Sequence, residues 1–173
     1  MESTKFYEEA LSNFYSKLEI NSYPLSSLDI YAQHFDKVCK NLSDIKDLTS
    51  LAKKQGWKDS LPLRDEILDK DHVVVVTDPQ LNIVYATQNI FAMNGYSPEE
   101  VIGNKPKMFQ GEKTCKDTSR NILEAIKQQI PFEAIITNYR KNGSTYNCWI
   151  KGQPIFDRKG KVINFIAFEK EVA

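Results

Sequence analysis

Four consecutive valines, Val73–Val76, constrain the possible folds of this chain more than any other feature of its sequence. A run of β-branched residues favours a buried β-strand. The turn signal Asp78-Pro79 follows, and a second short apolar segment, Ile83–Ala86, comes directly after it. We therefore predict that these two segments form a β-hairpin at the start of a sheet.

The sequence after this hairpin predicts helices first and strands afterwards. Ser97-Pro98-Glu99-Glu100 is a strong helix start, because it combines a capping residue, a proline and two acids in the first turn. Asn142-Gly143 is the strongest short signal for a hairpin turn. The predicted helices are Gln88–Met93, Ser97–Ile102 and Lys116–Gln129, and the predicted strands are Phe132–Tyr139, Thr145–Ile155 and Val162–Glu169.

This order of elements indicates an α+β domain. Two strands, a group of helices and three more strands predict one antiparallel sheet of about five strands with the helices on one face. Apolar residues of these elements are expected to supply the core, and several of them should be fully buried. The candidates are Phe91, Phe109, Ile126, Ile136, Ile150 and Ile166.

The first sixty residues predict a helical region of a different texture. Apolar residues recur at helical spacing within residues 6–18, and residues 21–24 interrupt the pattern. A second helix is predicted from a capping box at Ser26 and Asp29 to the stop signal Gly56. Its apolar residues alternate three and four positions apart, which is the spacing of a narrow helix–helix seam: Leu28, Tyr31, Phe35, Val38, Leu42 and Ile45.

This seam is expected to be a dimer interface. The alternative that the sequence leaves open is that the N-terminal helices pack on each other or on the outer face of the sheet. The segment between these helices and the valine run is mixed and charged, and we place the domain boundary there. The predicted organisation is a helical region at residues 1–60 that dimerises or caps the sheet, a linker at 61–70 and a domain at 71–173.

Composition excludes several classes of function. Lys and Arg together count 23, as do Asp and Glu, so the chain has no broad basic field to hold nucleic acid or an anionic membrane. No apolar stretch approaches the roughly 20 residues of a membrane helix. Three separated cysteines without a CxxC spacing predict neither a disulfide framework nor a zinc site. We therefore expect a protein of the reducing cytoplasm.

No catalytic apparatus is visible in the sequence. It contains no nucleophile–base–orienter set and no paired acids at useful spacing, and Gly103–Gly111 is too sparse in glycine for a phosphate-binding loop. We therefore expect a protein that is not an enzyme and that holds no metal. The chain ends soon after the last predicted strand, so it is expected either to act through a separate signalling partner or to be a fragment of a longer protein.

Several motifs of the C-terminal half resemble those of the PAS family of sensory domains. They are Asn82–Ala86, Phe91–Gly103 with its Gly-Tyr-Ser-Pro-Glu-Glu segment, Phe109–Gly111, Asn138–Gly143 and Gln153–Asp157. The resemblance covers residues 68–172 almost without gaps and does not extend to the N-terminal helices. It implies the PAS fold, with a five-stranded antiparallel sheet and short helices on one face, and a role in sensing and dimerisation.

Within this family, the chain most resembles the LOV photoreceptors, which bind flavin mononucleotide. Their pattern G-x-N-C-R-F-L-Q-G falls on Gly103–Gly111, where Pro106 occupies the position of the photoreactive cysteine. Proline has no thiol, so the cysteinyl–flavin adduct is not expected. Lys105 replaces a flavin-contacting asparagine and Lys107 a phosphate-binding arginine, whereas Gln110 is retained.

Three strand residues complete the pocket that this resemblance implies. Asn138 matches one flavin-ring asparagine, Cys148 replaces the second, and Glu169 replaces a glutamine. A thiol donates only weakly, and an ionised carboxylate accepts hydrogen bonds but does not donate them. Specific flavin binding is therefore not expected. Haem is not expected either, because no histidine lies within residues 116–129, where the family's long helix would carry the ligand.

The residues that form this candidate pocket are Asn138, Gln110, Lys107, Lys105, Cys148 and Glu169. Ordinary structural roles stay open for them, such as an ion pair between Glu169 and one of the two lysines. We predict a PAS sensory module that detects a small ligand or mediates protein–protein contact as a homodimer. Two alternatives stay open: a sensor that binds flavin or another cofactor without adduct chemistry, and a ligand-free module whose own side chains fill the pocket.

Overall fold

The structure, a computed structural model, describes the backbone of residues 24–173 and the side chains of residue 32 and residues 34–173. The helix predicted within residues 6–18 lies outside this range. The side chains of Leu28 and Tyr31, two members of the predicted seam, also lie outside it. All residues of the predicted sheet and of the helices that follow its first hairpin are described.

Five antiparallel strands form a single sheet in the order β2-β1-β5-β4-β3. The strands are β1 Val73–Thr77, β2 Ile83–Ala86, β3 Phe132–Tyr139, β4 Thr145–Phe156 and β5 Val162–Val172. The last strand of the chain therefore lies between the first hairpin and the second, which makes β5 the central strand. This arrangement confirms the predicted α+β class and the five-stranded antiparallel sheet.

The helices are α1 Pro24–Gln55, α2 Ile90–Asn94, α3 Pro98–Val101 and α4 Lys116–Lys127, with a π-helical turn at Asp65–Asp69 and a 3-10 turn at Pro106–Phe109. Helix α1 begins two residues before the predicted cap at Ser26, because proline is well tolerated in the first turn of a helix. Helix α3 begins as predicted, since the backbone N–H of Ser97 donates to the Glu100 carboxylate at 2.9 Å.

Strand β1 is buried on both of its faces. All five of its residues are buried, and successive side chains point to opposite sides of the sheet. Val73 and Val75 pack with residues of α2, α3 and the 3-10 turn. Val74 and Val76 belong to a second apolar cluster on the other side of the sheet. The unbroken run of valines therefore reflects cover on both sides.

The second half of α1 supplies part of that cover on the outer face. Leu48 is fully buried there, and Ile45 and Leu51 pack beside it. Ile67, in the π-helical turn, belongs to the same cluster. Packing on the outer face of the sheet, one of the two arrangements that the sequence left open, is thus observed for this part of the helix. Ile45 belongs to this cap although the sequence pattern assigns it to the seam.

Other members of the predicted seam remain at the surface. Phe35 is 69% exposed and Leu42 is 45% exposed, whereas Val38 is half-buried. Phe35 and Leu42 therefore lie on a different face of α1 from the buried stripe, whereas Ile45 of the predicted seam packs in that stripe. The dimer interface predicted for the seam stays a prediction.

Two polar residues of α1 are buried where the helix meets the sheet. The Asp44 carboxylate accepts a hydrogen bond from the Tyr85 hydroxyl at 2.7 Å and another from the backbone N–H of Gln88 at 2.9 Å. The amide of Asn41 donates to the carbonyl of Ile67 at 3.4 Å. These bonds satisfy polar groups away from water and fix where α1 lies on the sheet.

The segment predicted as a linker, residues 61–70, is packed rather than free. Leu63 and Ile67 are buried in the outer-face cluster, and Glu66 is buried beside His72, with 2.6 Å between the Glu66 Oε2 and His72 Nδ1 atoms. Residues 37–173 form one compact unit that begins upstream of this segment. The predicted domain limits at residues 60 and 70 stay a prediction.

Three of the six predicted core residues are buried as expected: Phe109, Ile136 and Ile166. Ile126 and Ile150 are half-buried, because both line a cavity described below. The prediction for Phe91 was wrong, since its side chain is 61% exposed. Its neighbour Ile90 takes the buried position, and adjacent residues of a helix point about 100° apart.

Truncating one side chain on each of two faces of α1 should distinguish the face that packs on the sheet from the exposed face. Leu48→Ala leaves a cavity between α1 and the sheet, so we expect it to lower the free energy of unfolding by about 2–5 kcal/mol. Leu42→Ala removes a side chain of the same size from the surface and should change it by less than about 0.5 kcal/mol. Urea unfolding of dilute protein measures both. Equal losses for the two variants would contradict the packing described for α1.

Candidate functional site

A cavity of about 490 Å³ lies between the sheet and helix α4. Its wall is mostly apolar and includes residues of β1, β3, β4, β5, α4 and the 3-10 turn. The apolar residues of the wall are Val75, Leu81, Pro106, Phe109, Ile122, Leu123, Ile126, Phe132, Ile136, Ile150, Phe165, Ile166 and Ala167. A cavity of this size with few polar groups is the usual form of a small-molecule site.

Small residues at the centre of the sheet leave room for this cavity. Ala167 of β5 is paired with Gly152 of β4 and with Val75 of β1. Gly152 has no side chain, and the ring of Phe132 occupies the space beside it: a Cβ atom there would lie 2.3 Å from Phe132 Cζ. Gly152 thus makes room for the Phe132 ring, which itself lines the cavity, whereas a larger residue at position 167 would fill the space between sheet and helices.

Five of the six residues predicted for the pocket line this cavity: Asn138, Gln110, Lys107, Lys105 and Glu169. The strand residues Asn138 and Glu169 are buried, whereas the two lysines are exposed. The structure therefore places these side chains around one space, although they are far apart in the sequence. Whether they bind a ligand stays a prediction.

Glu169 is the buried acid of this wall. It lies on the central strand between Val73 and Ile150, and only 6% of it is exposed. Its hydrogen-bond partner is the Cys148 thiol, at 3.7 Å between Sγ and Oε2. Burial raises the pKa of the Glu169 carboxyl to about 7, and the bond from the thiol only partly opposes this rise.

This pKa corrects one step of the sequence interpretation, which treats Glu169 as an ionised carboxylate that cannot donate a hydrogen bond. A carboxyl with a pKa of about 7 is protonated in a large fraction of molecules at neutral pH, and its protonated form does donate. The predicted alternative of an ion pair between Glu169 and Lys105 or Lys107 is not observed among the described residues, because the partner of Glu169 is the thiol.

Cys148 does not line the cavity and lies behind Glu169. Its side chain is fully buried, and burial together with the nearby Glu169 raises the pKa of the thiol well above its usual range. The thiol therefore stays protonated and donates weakly to Glu169 and to the Trp149 carbonyl. Its position fits a small core residue better than a group that contacts a ligand.

Three polar residues of the wall are absent from the predicted pocket: Thr77, Ser119 and Arg120. Thr77 ends β1 on the same face as Val75, and its buried hydroxyl has no hydrogen-bond partner among the described residues. The two-residue period of the strand could have identified it. Ser119, on α4, donates to the Gln110 amide oxygen at 3.4 Å. The sequence carries no comparable signal for Ser119, because its position depends on how α4 packs.

Three cations lie around the exposed part of the wall: Lys105, Lys107 and Arg120. Arg120 forms an ion pair with Asp117 at 2.6 Å. Burial opposes ionisation of Asp78, but hydrogen bonds from Asn82 and Gln80 and the charge of Lys105 together lower the pKa of Asp78. Two of the three cations thus have acidic neighbours. Exposed charges of this kind are also screened by water and salt.

Pro106 opens the 3-10 turn and lies in the cavity wall, at the position that the sequence assigned to it. No cysteine is among the residues of the wall. Within the described residues, no group of three or more His, Cys, Asp or Glu side chains is placed to hold a metal ion. The same part of the chain has no helix that is long and apolar enough to cross a membrane.

Comparison with known proteins identifies the family. The model of the PAS domain matches residues 70–172, which include the whole sheet, all the helices that follow its first hairpin and every residue of the cavity wall. This chain belongs to the PAS domain family, and within that family it resembles the LOV branch.

The relatives support this placement. The chain is 37% identical over 123 residues to phototropin-2 of Oryza sativa subsp. japonica, a match that covers 66% of this chain and 14% of that protein. It is 35% identical over 118 residues to protein TWIN LOV 1 of Arabidopsis thaliana, with 66% and 30% covered. The chain thus spans less than a third of either relative.

Solved structures show the same fold. A light-oxygen-voltage domain from a study of a flavin analogue superposes with a TM-score of 0.61 at 25% identity, covering 66% of this chain and 87% of that one. The light-state structure of the Aureochrome1 LOV domain gives a TM-score of 0.57 at 25% identity, covering 66% and 90%. The predicted fold class is confirmed by these similarities.

The buried acid should make stability depend on pH. In the unfolded chain Glu169 ionises near its ordinary pKa of 4.5, whereas in the folded protein it ionises near 7. Between these pH values the folded state binds more protons than the unfolded state, so the free energy of unfolding falls as the pH rises. We expect the free energy of unfolding of Glu169→Gln to rise, relative to that of the wild type, by up to about 3 kcal/mol between pH 4.5 and pH 7.5.

Urea unfolding at pH 4.5, 6.0 and 7.5 measures this difference, because titration of the remaining groups cancels between the two proteins. Glu124→Gln, which changes an exposed carboxyl on α4, is the matched control and should show no such trend. A difference between Glu169→Gln and wild type that stays constant with pH would contradict the raised pKa.

Proposed function

We propose that this chain is a sensory module that binds a small molecule in its cavity and responds by a change in the packing of sheet and helices. It acts in the cytoplasm and has no enzymatic activity of its own. The observation that carries this proposal is the cavity, whose wall contains three buried polar side chains, Thr77, Asn138 and Glu169. Burial of polar groups costs free energy unless they are paired. The Thr77 hydroxyl has no partner among the described residues, and Glu169 has a weak one, the Cys148 thiol, so this wall favours a ligand-binding role.

The cavity also bears on the ligand-free alternative. A module whose own side chains fill its pocket needs a closed core at this position. Instead, about 490 Å³ of space lies in front of the central strand at Ala167. Interiors that serve only packing are close to the density of organic crystals and have few large voids. The space therefore supports a ligand-binding module over one that only dimerises.

The residues of the wall do not fit the flavin of the LOV branch. Pro106 offers no thiol, so we propose that no cysteinyl adduct forms here. Lys105 lies where that branch has a flavin-contacting asparagine, and Cys148, at the second asparagine position, does not reach the wall. Relatives named phototropin and blue-light photoreceptor point to light as a stimulus in those proteins. For this chain we propose a chemical stimulus.

Helix α1 is the proposed route of the response. Asp44 ties α1 to Tyr85 of β2 and to Gln88, so a shift of these residues moves a buried polar contact of the helix. On another face of α1, Phe35 and Leu42 are exposed, and large apolar side chains seven residues apart are typical of a helix–helix interface. We propose that a second copy of the chain covers this face and that a separate signalling protein reads the change.

The cavity can be tested with 1-aminoanthracene, a small aromatic fluorophore that is uncharged at neutral pH. We expect its fluorescence to rise on binding to the full chain with a stoichiometry of one. Ala167→Leu places three more carbon atoms in the cavity and should weaken binding at least tenfold, because the space is lost. The absorbance spectrum of the same sample should show no flavin band that bleaches in blue light and recovers in the dark.

The matched control for Ala167→Leu is Ile163→Val, a small change on the same strand. Ile163 packs against the outer-face cluster and does not line the cavity, so this variant should keep the affinity. Two results would overturn the proposal: an affinity for 1-aminoanthracene that Ala167→Leu leaves unchanged, and a full chain that does not bind 1-aminoanthracene. A reversible blue-light bleach would overturn the proposed absence of adduct chemistry.

The proposed dimer has its own test. Phe35→Glu with Leu42→Glu places two charges on the exposed apolar face of α1, so we expect the dimer to dissociate without loss of the fold. Ser43→Glu with Ser50→Glu is the matched control, because it adds the same charges at the same spacing on exposed positions of α1. Light scattering at micromolar concentration measures the mass. A wild-type chain that is already monomeric would refute the dimer.

A further inference from the structure

The wall of the cavity holds a buried acid without a cation beside it. Glu169 is 6% exposed, and its hydrogen-bond partner among the described residues is the thiol of Cys148. A carboxylate can accept several hydrogen bonds, and a thiol supplies one weak bond. Acids are almost never buried in proteins unless a partner is present. A ligand can therefore supply the hydrogen bonds that the Glu169 carboxyl group lacks.

A second buried polar group lies farther along the same wall. Thr77 is paired with Phe165, whereas Glu169 is paired with Val73, so the two polar positions are four residues apart along β5. At about 3.3 Å per residue, this separation is about 13 Å. The wall between them is apolar and includes Val75 and Ala167. A ligand that satisfies both ends therefore needs an apolar body with polar atoms at its ends.

The sign of the charge at the Glu169 end is set by the groups that face it. Cys148 and Tyr146 of β4 lie near the carboxyl, and burial raises the pKa of both side chains, so both stay neutral. Val73 of β1 and Ile150 of β4 flank it and carry no charge. The cations that line the same cavity are exposed at its surface: Lys105, Lys107 and Arg120.

We propose that the cavity recognises molecules with an apolar body and a protonated nitrogen, such as an amidine or an amine, which pairs with Glu169. This inference rests on the proposed ligand-binding function and names the chemical class of the ligand. An amidinium is suited to this position because its two N–H groups match the two oxygens of a carboxylate, and charge-assisted pairs of this kind are the strong ones.

Binding of a cation to Glu169 should depend on pH. A cationic ligand binds the ionised form of Glu169, whose pKa in the free protein is about 7. Below pH 7 the carboxyl must lose a proton before it pairs, so affinity falls by up to tenfold for each pH unit. Above pH 8 the carboxyl is already ionised, and affinity no longer changes. An uncharged ligand lacks this dependence.

Two probes of the same shape test the proposal: naphthalene-2-carboxamidine, a cation, and naphthalene-2-carboxamide, its neutral counterpart. Calorimetric titration of the full chain at pH 8 should show the amidine binding at least tenfold more tightly. Glu169→Gln should abolish this preference, because the amide side chain keeps the shape and loses the charge. Glu124→Gln should keep it, and at pH 6 the wild-type affinity for the amidine should be about tenfold lower.

The outcomes separate this inference from the proposed function. Equal binding of both probes, with both weakened by Ala167→Leu, would overturn the preference for a cation and leave the cavity as a ligand site. A preference for the amidine that persists in Glu169→Gln would assign the recognition to another group and would also overturn the inference. Binding of neither probe would refute the inference and, together with a failure of 1-aminoanthracene to bind, the ligand-binding function.

Discussion

Cover on both faces of β1 is the constraint on which the rest of this structure depends. All five residues of β1 are buried, with α2, α3 and the 3-10 turn on one side and α1 on the other. The helix is held in place by apolar packing at Leu48 and by the buried hydrogen bonds of Asp44. Since side chains at the centre of the sheet are buried on both faces, any polar side chain placed there must find a partner or bear a cost.

Glu169 and Thr77, in the wall of the cavity, are polar residues that are buried without a strong hydrogen-bond partner among the described residues. The small Ala167 leaves space in front of the central strand, and the two polar groups lie in the wall of that space. The pKa of Glu169 rises because water is excluded, while the thiol of Cys148 gives little compensation. The same burial that stabilises the sheet thus prepares an acid whose charge a bound molecule can change, which is a physical basis for sensing.

The sequence predicted five residues of the cavity wall but misjudged the chemistry of one of them, Glu169. The PAS resemblance brought Asn138 and Glu169 to one pocket, and the structure places both in the wall of one cavity. The protonation of Glu169 could not be read from its neighbours in the chain, because the groups that exclude water come from β1 and β4. Cys148 was placed in the wall by the same resemblance, yet it lies behind Glu169.

The sequence by itself determined the order and type of the elements, because β-branched runs, turn residues and capping boxes act on the backbone over a few positions. Val73–Val76, Ser97 with Glu100, and Asn142-Gly143 are such local signals. The tertiary structure alone decided which stripe of α1 is buried, so that polar Asp44 is covered and apolar Leu42 is not. It also decided that burial raises the pKa of Glu169 to about 7. Burial and exclusion of water depend on residues that are distant in the chain, so no local spacing encodes them.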